Sequence, residues 1–191
     1  MKFEKLDPNK IFFISDTHFG HKNIIKYCNR PFSSVEEMNE KLVENWNKVV
    51  GDDCTVFHLG DFALGGQDTW YKIRHQLKGS IRLILGNHDI QVWKPGFEKL
   101  FDEVTIQKHI YLDNHKIYLN HFPFLCFDGS WDESTVQLFG HVHVASNPEY
   151  SPETDRLKYL FKTQYNVCCE YNNYAPISWN QIKEKLYGSK E

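Results

Sequence analysis

The chain has 191 residues, enough to build a full hydrophobic core, and one domain over residues 1–191 is expected. Its formal charge of −3 excludes a general electrostatic affinity for nucleic acid or acidic lipid, though not a local basic patch. The start, MKFEKLDPNK, lacks the apolar stretch of a signal peptide, and no apolar run reaches membrane-span length, so a cytoplasmic protein without membrane contact is expected.

The run IFFIS (11–15) is short, apolar and rich in strand formers. Residues 35–50 read as a helix. Val35, Met38, Leu42, Val43, Trp46, Val49 and Val50 make one apolar stripe, and Ser34 with Glu37 has capping-box spacing. A strand follows at TVFHL (55–59), then a helix over 68–77 with Asp68 as N-cap, then a strand at IRLIL (81–85). EVTIQKHIYL (103–112) and HKIYLN (115–120) flank Asp113-Asn114 and read as a hairpin. TVQLF (135–139) and QYNVCCE (164–170) are further strands. The last helix starts at Ser178, with Gln181 in its capping-box position and Ile177 and Ile182 placed as a hydrophobic staple.

Early alternation of strands and helices with a later hairpin points to a layered α/β domain with a mixed sheet. Two irregular stretches, 122–134 and 144–163, have the length of lids or binding loops, or of tolerated insertions. Cys28, Cys54, Cys126, Cys168 and Cys169 match no disulfide or zinc spacing and are expected to be free, mostly buried thiols. Trp46 reads as core, and His58, inside its strand, as a buried scaffold residue.

The strand ends carry the chemistry. IFFIS runs into Asp16-Thr17-His18, TVFHLG into Asp61, IRLILG into Asn87-His88-Asp89, KIYLN into His121, and TVQLFG into His141-Val142-His143. One such Asp alone is commonly a turn residue, and one His-x-His pair a half-exposed strand face. Five strand ends together are not explained that way. In open α/β sheets the ligand crevice lies outside the carboxyl ends of the strands, so the pattern projects one cluster into one cleft. The donors are carboxylates, one amide oxygen and imidazoles, without thiolate, a set that suits Mn, Fe, Zn, Ni or Co. They are too many for one ion but enough for two that share a carboxylate, the clamp used for in-line displacement at phosphorus.

SDTH (15–18), GD (60–61), GNHD (86–89), NHFP (120–123) and GHVH (140–143), in this order, resemble the motif series of the calcineurin-like metallophosphoesterases. SDTHFGHKNII and NHFPF are most similar to the small stand-alone bacterial and phage members. The resemblance implies a four-layer α/β/β/α sandwich with mixed sheets and a two-metal centre, with Mn or Fe as the expected ions. It implies that Asp16, His18 and His143 bind the first ion, that Asp61 bridges, and that Asn87, His121 and His141 complete the second. His88 would stand beside the ions as the catalytic residue, steadying phosphoryl oxygens or protonating the leaving group. Asp89 would orient His88 or cap the segment that follows.

Protein phosphatases of this superfamily carry a second Asp and an Arg after their GD. Here the run is Gly60-Asp61-Phe62-Ala63-Leu64-Gly65-Gly66, with neither, which disfavours a phosphoprotein substrate. Phosphate would instead meet His21, Lys22 or Asn23, with His21 alternatively a helix cap. The favoured expectation is hydrolysis of a small phosphate mono- or diester by a hydroxide held between the ions. A nuclease would use Lys22, Lys26 and Arg30 together with aromatic side chains of the 122–134 loop. A non-catalytic module on the same fold would have lost metal ligands, and every one is present.

Overall fold

The computed structural model describes residues 4–144 and 154–188. Nine strands are present among them: β1 (Ile11–Ile14), β2 (Thr55–His58), β3 (Ser80–Ile84), β4 (Glu103–Thr105), β5 (Gln107–Leu112), β6 (His115–Asn120), β7 (Thr135–Phe139), β8 (Gln164–Asn166) and β9 (Ile177–Ser178). The α-helices are α1 (Lys22–Tyr27), α2 (Val35–Val49), α3 (Gln67–Arg74), α4 (Asn87–Val92) and α5 (Trp179–Tyr187). One sheet has the order β4-β3-β2-β1-β9, parallel except for β9; the other is β5-β6-β7-β8, with β5 antiparallel and the rest parallel.

Period-two alternation decides what each strand face meets. In β1, Phe12 and Ile14 join a core with Met38, Leu42 and Trp46 of α2 and Trp70 and Ile73 of α3. Ile11 and Phe13 face the other way, into a core between the sheets with Phe57, Ile117, Leu119, Val136 and Leu138. Such a strand is apolar at every position because both faces are covered. Trp179 and Ile182 of α5 join this second core. On the far side of the second sheet, Tyr118 packs against Phe124 and Phe127 of the 122–134 loop. Gln137 pins the same loop through bonds to the Phe122 carbonyl and the Phe124 N–H, each 2.9 Å. The result is a mixed α/β molecule with two mixed sheets and helices, as the metallophosphoesterase resemblance implies.

Several local expectations hold. Asp113 and Asn114 both have left-handed φ (51° and 63°), as a two-residue type I′ hairpin turn requires. Ser178 and Gln181 close a complete capping box on α5. Ser34 caps α2, but the Glu37 carboxylate bonds Ser33 rather than closing a box with Ser34.

Others need correction. The run 103–112 is two strands: β4 extends the first sheet beside β3, and β5 begins the second beside β6. The chain changes sheets at Ile106, which is 64% exposed. Strand propensity reports an extended backbone and says nothing about which edge it pairs with. The third helix starts at Gln67 with Gly66 at its N-cap, not at Asp68, and ends at Arg74. In 164–170 only Gln164–Asn166 is strand; Cys168 makes one bridge to Ser15, and a 3-10 turn follows at Cys169–Asn172. Cys168 and Cys169 are buried, Cys28 and Cys54 half-buried and Cys126 exposed. The centre of the 144–163 stretch, expected as a lid, a binding loop or a tolerated insertion, lies outside the described residues. No helix among the described residues is long and apolar enough to cross a membrane.

Candidate metal centre

Parallel pairing sets the loops after β1 and β2 side by side. The Asp16 N–H donates to the Gly60 carbonyl (2.9 Å) and the His18 N–H to the Asp61 carbonyl (3.0 Å). Four residues at the strand ends adopt left-handed backbone without being glycine: Asp16 (φ 56°), His18 (51°), Asp61 (56°) and His141 (67°). Each such conformation costs about 1 kcal/mol and persists where the surroundings enforce it, as around functional sites. Two glycines supply clearance. A Cβ on Gly86 would strike the Asp61 carboxylate, and one on Gly140 the Ser15 hydroxyl and the Asp16 carboxylate.

Both carboxylates are anchored by one oxygen and leave the other facing the cluster. The His141 N–H holds Asp16 Oδ2 (2.9 Å), and Asp16 Oδ1 is buried with no hydrogen-bond partner. The His88 N–H holds Asp61 Oδ1 (2.9 Å), while Asp61 Oδ2 stands 3.6 Å from both His18 Nε2 and His121 Nε2. His143 Nε2 lies 3.6 Å from Asp16 Oδ1 and 3.3 Å from His18 Nε2. Asn87 Oδ1 is 3.0 Å from His121 Nε2, and the His141 ring sits 5.1 Å from the His121 ring.

The histidines point the correct nitrogen inward. His121 donates Nδ1–H to the Leu59 carbonyl (2.8 Å), which leaves the Nε2 lone pair for a ligand. His143 bonds through Nδ1 to Glu170 (2.9 Å) with the same consequence. Burial and crowding by neighbouring imidazoles hold the His18 pKa well below its ordinary value, so its ring is in the neutral form a metal binds. Burial raises the Asp61 pKa, as expected of a carboxyl group waiting for a counter-charge. The residues therefore fit metal ions. Asp16, His18 and His143 form one group, and Asp16, Asp61 and His121 another, each with ligand atoms within 4.8 Å of one another. An orphaned buried carboxylate oxygen between them is the atom a cation would satisfy.

His88 borders this cluster with its side chain 36% exposed and Nε2 4.0 Å from Asp61 Oδ2. Its ring meets those of His18 (5.1 Å) and His21 (6.0 Å). His21 occupies the N-cap position of α1 but makes no capping bond, and its Nδ1 is buried without a partner. Lys22 and Asn23 are exposed on the first turn of α1. Asp89 is corrected. Its buried carboxylate accepts from the backbone N–H of Asp61 (2.7 Å), Phe62 (2.8 Å) and Gly86 (2.9 Å). It ties the second and third motif loops together and caps α4, and both its oxygens are turned to backbone rather than to the His88 ring.

Arg30 and Glu170 carry a role that the sequence pattern did not reveal. Arg30, which the nuclease alternative would turn to a nucleic-acid backbone, is 3% exposed; it donates to the carbonyls of Asp16 (2.7 Å) and Thr17 (2.9 Å) and pairs with Glu170 (2.8 Å). Glu170 in turn orients His143 and accepts from the Val144 N–H (2.9 Å). Burial opposes the Glu170 charge, but His143 and Arg30 outweigh it and hold the pKa at about 2. Burial likewise opposes a charged His143, yet its bonds to Cys28 and Glu170 and the nearby Asp16 raise its pKa well above normal in the metal-free protein. His58 is a buried scaffold residue. Thr17 donates its hydroxyl hydrogen to the Phe62 carbonyl (2.8 Å), so His58 Nε2 is the donor to Thr17 Oγ1 (2.9 Å).

A family model described as calcineurin-like phosphoesterase matches residues 9–167. The chain is 39% identical over 188 residues to the uncharacterized protein MJ1445 of Methanocaldococcus jannaschii, covering 97% of this chain and 96% of that one. It is 30% identical over 162 residues to the Gene 66 protein of Mycobacterium phage L5, covering 69% and 76%. Among solved structures, the protein of unknown function AQ665 from Aquifex aeolicus aligns with a TM-score of 0.67 at 29% identity, covering 91% of this chain and 97% of that one.

Proposed function

The chain belongs to the calcineurin-like phosphoesterase family, and on that premise we propose that it hydrolyses a small phosphate mono- or diester at a two-metal centre. Asp16, His18 and His143 would hold one ion, Asn87, His121 and His141 the other, and Asp61 would bridge them. Mn or Fe suits these donors, with Zn, Ni or Co as substitutes. The observation that carries the reading is the single Asp61 oxygen set 3.6 Å from His18 Nε2 and 3.6 Å from His121 Nε2.

Bound ions supply Lewis acidity at the phosphoryl oxygens and acidify water. The chain's own residues do the rest. His88 Nε2, at the open side of the cluster, donates a proton to the departing oxygen. The His21 ring, which meets that of His88, stands beside the phosphoryl group, and Lys22 and Asn23 flank it at the surface. Asp89, by clamping the Asp61 and Gly86 loops, keeps the bridging carboxylate and His88 in register. Arg30 is engaged inside the molecule and cannot track a nucleic-acid backbone, which favours a small ester over a polymer.

The test is turnover of phosphate mono- and diester model substrates by Mn-loaded protein, beside a chelator-treated sample and an Asp61→Asn variant. Activity should require the metal and disappear in the variant. A metal-loaded protein that leaves both ester classes intact overturns the proposal in favour of a non-catalytic module.

A further inference from the structure

The aromatic side chains of the 122–134 loop fall into three groups, of which Trp131, 80% exposed, is the most open. Phe124 and Phe127 pack on Tyr118, and Phe127 also meets Phe161, so these rings are ordinary packing. Phe122 differs: it is 44% exposed. Its ring centroid lies 4.9 Å from that of His121 and 4.6 Å from that of His141, edge-on to both. Singly exposed apolar side chains are ordinary on a protein surface; what sets this one apart is its place against two histidines of the cluster.

The backbone beneath it is immobilised. The Phe122 N–H donates to Asn120 Oδ1 (2.8 Å), and its carbonyl accepts from Gln137 Nε2 (2.9 Å). Pro123 follows and restricts Phe122 to extended backbone. The Phe124 N–H and carbonyl are held by Gln137 (2.9 Å) and Gln164 (3.0 Å). An exposed ring on a fixed backbone is a preorganised surface, which loses little entropy when a ligand covers it.

We infer that Phe122 is a stacking platform for a planar base carried by the substrate, so that the substrate class is nucleotide phosphoesters, an assignment that rests on the function proposed above. The distances support this. The Phe122 ring is in direct contact with two histidines of the candidate metal cluster, 4.9 Å and 4.6 Å between centroids, so a base lying on it would sit beside a phosphate held there. An aromatic ring binds any base through its π face without hydrogen-bond readout.

The test compares the methyl phosphodiesters of thymidine and of abasic deoxyribose, which differ only in the base. The wild-type protein should prefer the thymidine ester in kcat/KM by about tenfold to hundredfold, the range of one base–aromatic stack. Phe122→Ala should collapse that ratio toward one through KM, and Phe122→Trp should keep it. A ratio unmoved by Phe122→Ala, or a parallel fall on both esters with loss of metal, would mean the ring only braces His141, and the proposal fails. Binding gives a readout without turnover. A non-hydrolysable adenosine phosphonate should bind more tightly than the ribose phosphonate, and Phe122→Ala should erase the difference. Absence of hydrolysis on every ester sinks the phosphoesterase reading, while the phosphonate pair still decides the platform. Cleavage of single-stranded oligothymidylate with the same Phe122 dependence assigns the base to a polymer, and its resistance assigns it to a small nucleotide.

Discussion

Glu170→Gln is the sharpest probe of the scaffold behind the metal cluster. The carboxylate is 2% exposed and faces four donors: Arg30 Nε (2.9 Å), Arg30 Nη2 (2.8 Å), His143 Nδ1 (2.9 Å) and the Val144 N–H (2.9 Å). A glutamine has one acceptor oxygen, so its amide hydrogens must confront either Arg30 and His143 or Val144. The guanidinium of Arg30, whose side chain is 0% exposed, would lose its counter-charge. Removing one partner of a buried pair costs about 3–5 kcal/mol. The displacement of the Glu170 pKa from 4.5 to about 2 converts independently to about 3 kcal/mol. Urea unfolding of the chelator-treated protein at neutral pH should therefore show a loss of about 3 kcal/mol. The folded carboxyl has the lower pKa, so its contribution is complete above its unfolded value and fades as pH falls through about 2. The gap between the two proteins should persist at about pH 6 and narrow in acid. With His143 no longer oriented, metal affinity should also fall by about tenfold to a hundredfold. A variant within about 0.5 kcal/mol of wild type that binds metal equally well would refute the account.

Three further outcomes are expected. His88→Gln should retain its metals, measured by elemental analysis, and lose about a hundredfold or more in turnover, most on poor leaving groups; parallel loss of metal would make His88 a ligand. Burial pushes the His58 pKa down to about 3, so protonation favours the unfolded chain, and stability is lost as pH falls from about 6.5 toward 3. At about pH 5 the wild type should have lost about 2 kcal/mol more than His58→Gln, relative to neutral pH, and equal slopes in urea titrations would contradict this. Gly86→Ala should lower metal stoichiometry, because the new methyl collides with the Asp61 carboxylate; full metal content would show that the loop yields.

The architecture was legible wherever chemistry is local. A hairpin announces itself through Asp113-Asn114, and α5 through Ser178 and Gln181, because each device is complete within a few residues. The convergence of strand-end donors could be read because parallel strands present their carboxyl ends at one edge. Pairing choices are non-local, so the passage at Ile106 from one sheet to the other left no mark on an unbroken β-forming run. Helices α1 and α4, six residues each, are too short for a readable period. Arg30 and Glu170 stand 140 positions apart, and a long-range pair leaves no spacing signal. The sequence therefore offers Arg30 to a nucleic-acid backbone, although the fold buries it.

The left-handed turns at Asp16, His18, Asp61 and His141 have a consequence for how this protein would evolve in the laboratory. Glycine is the residue that relaxes such a turn. Selection for heat tolerance alone would press toward glycine at His18 and His141, erasing a donor from the rim with each step, whereas at Asp16 and Asp61 the carboxylates that hold the N–H groups of His141 and His88 resist the exchange. Robustness and chemistry compete here over the same peptide hinges.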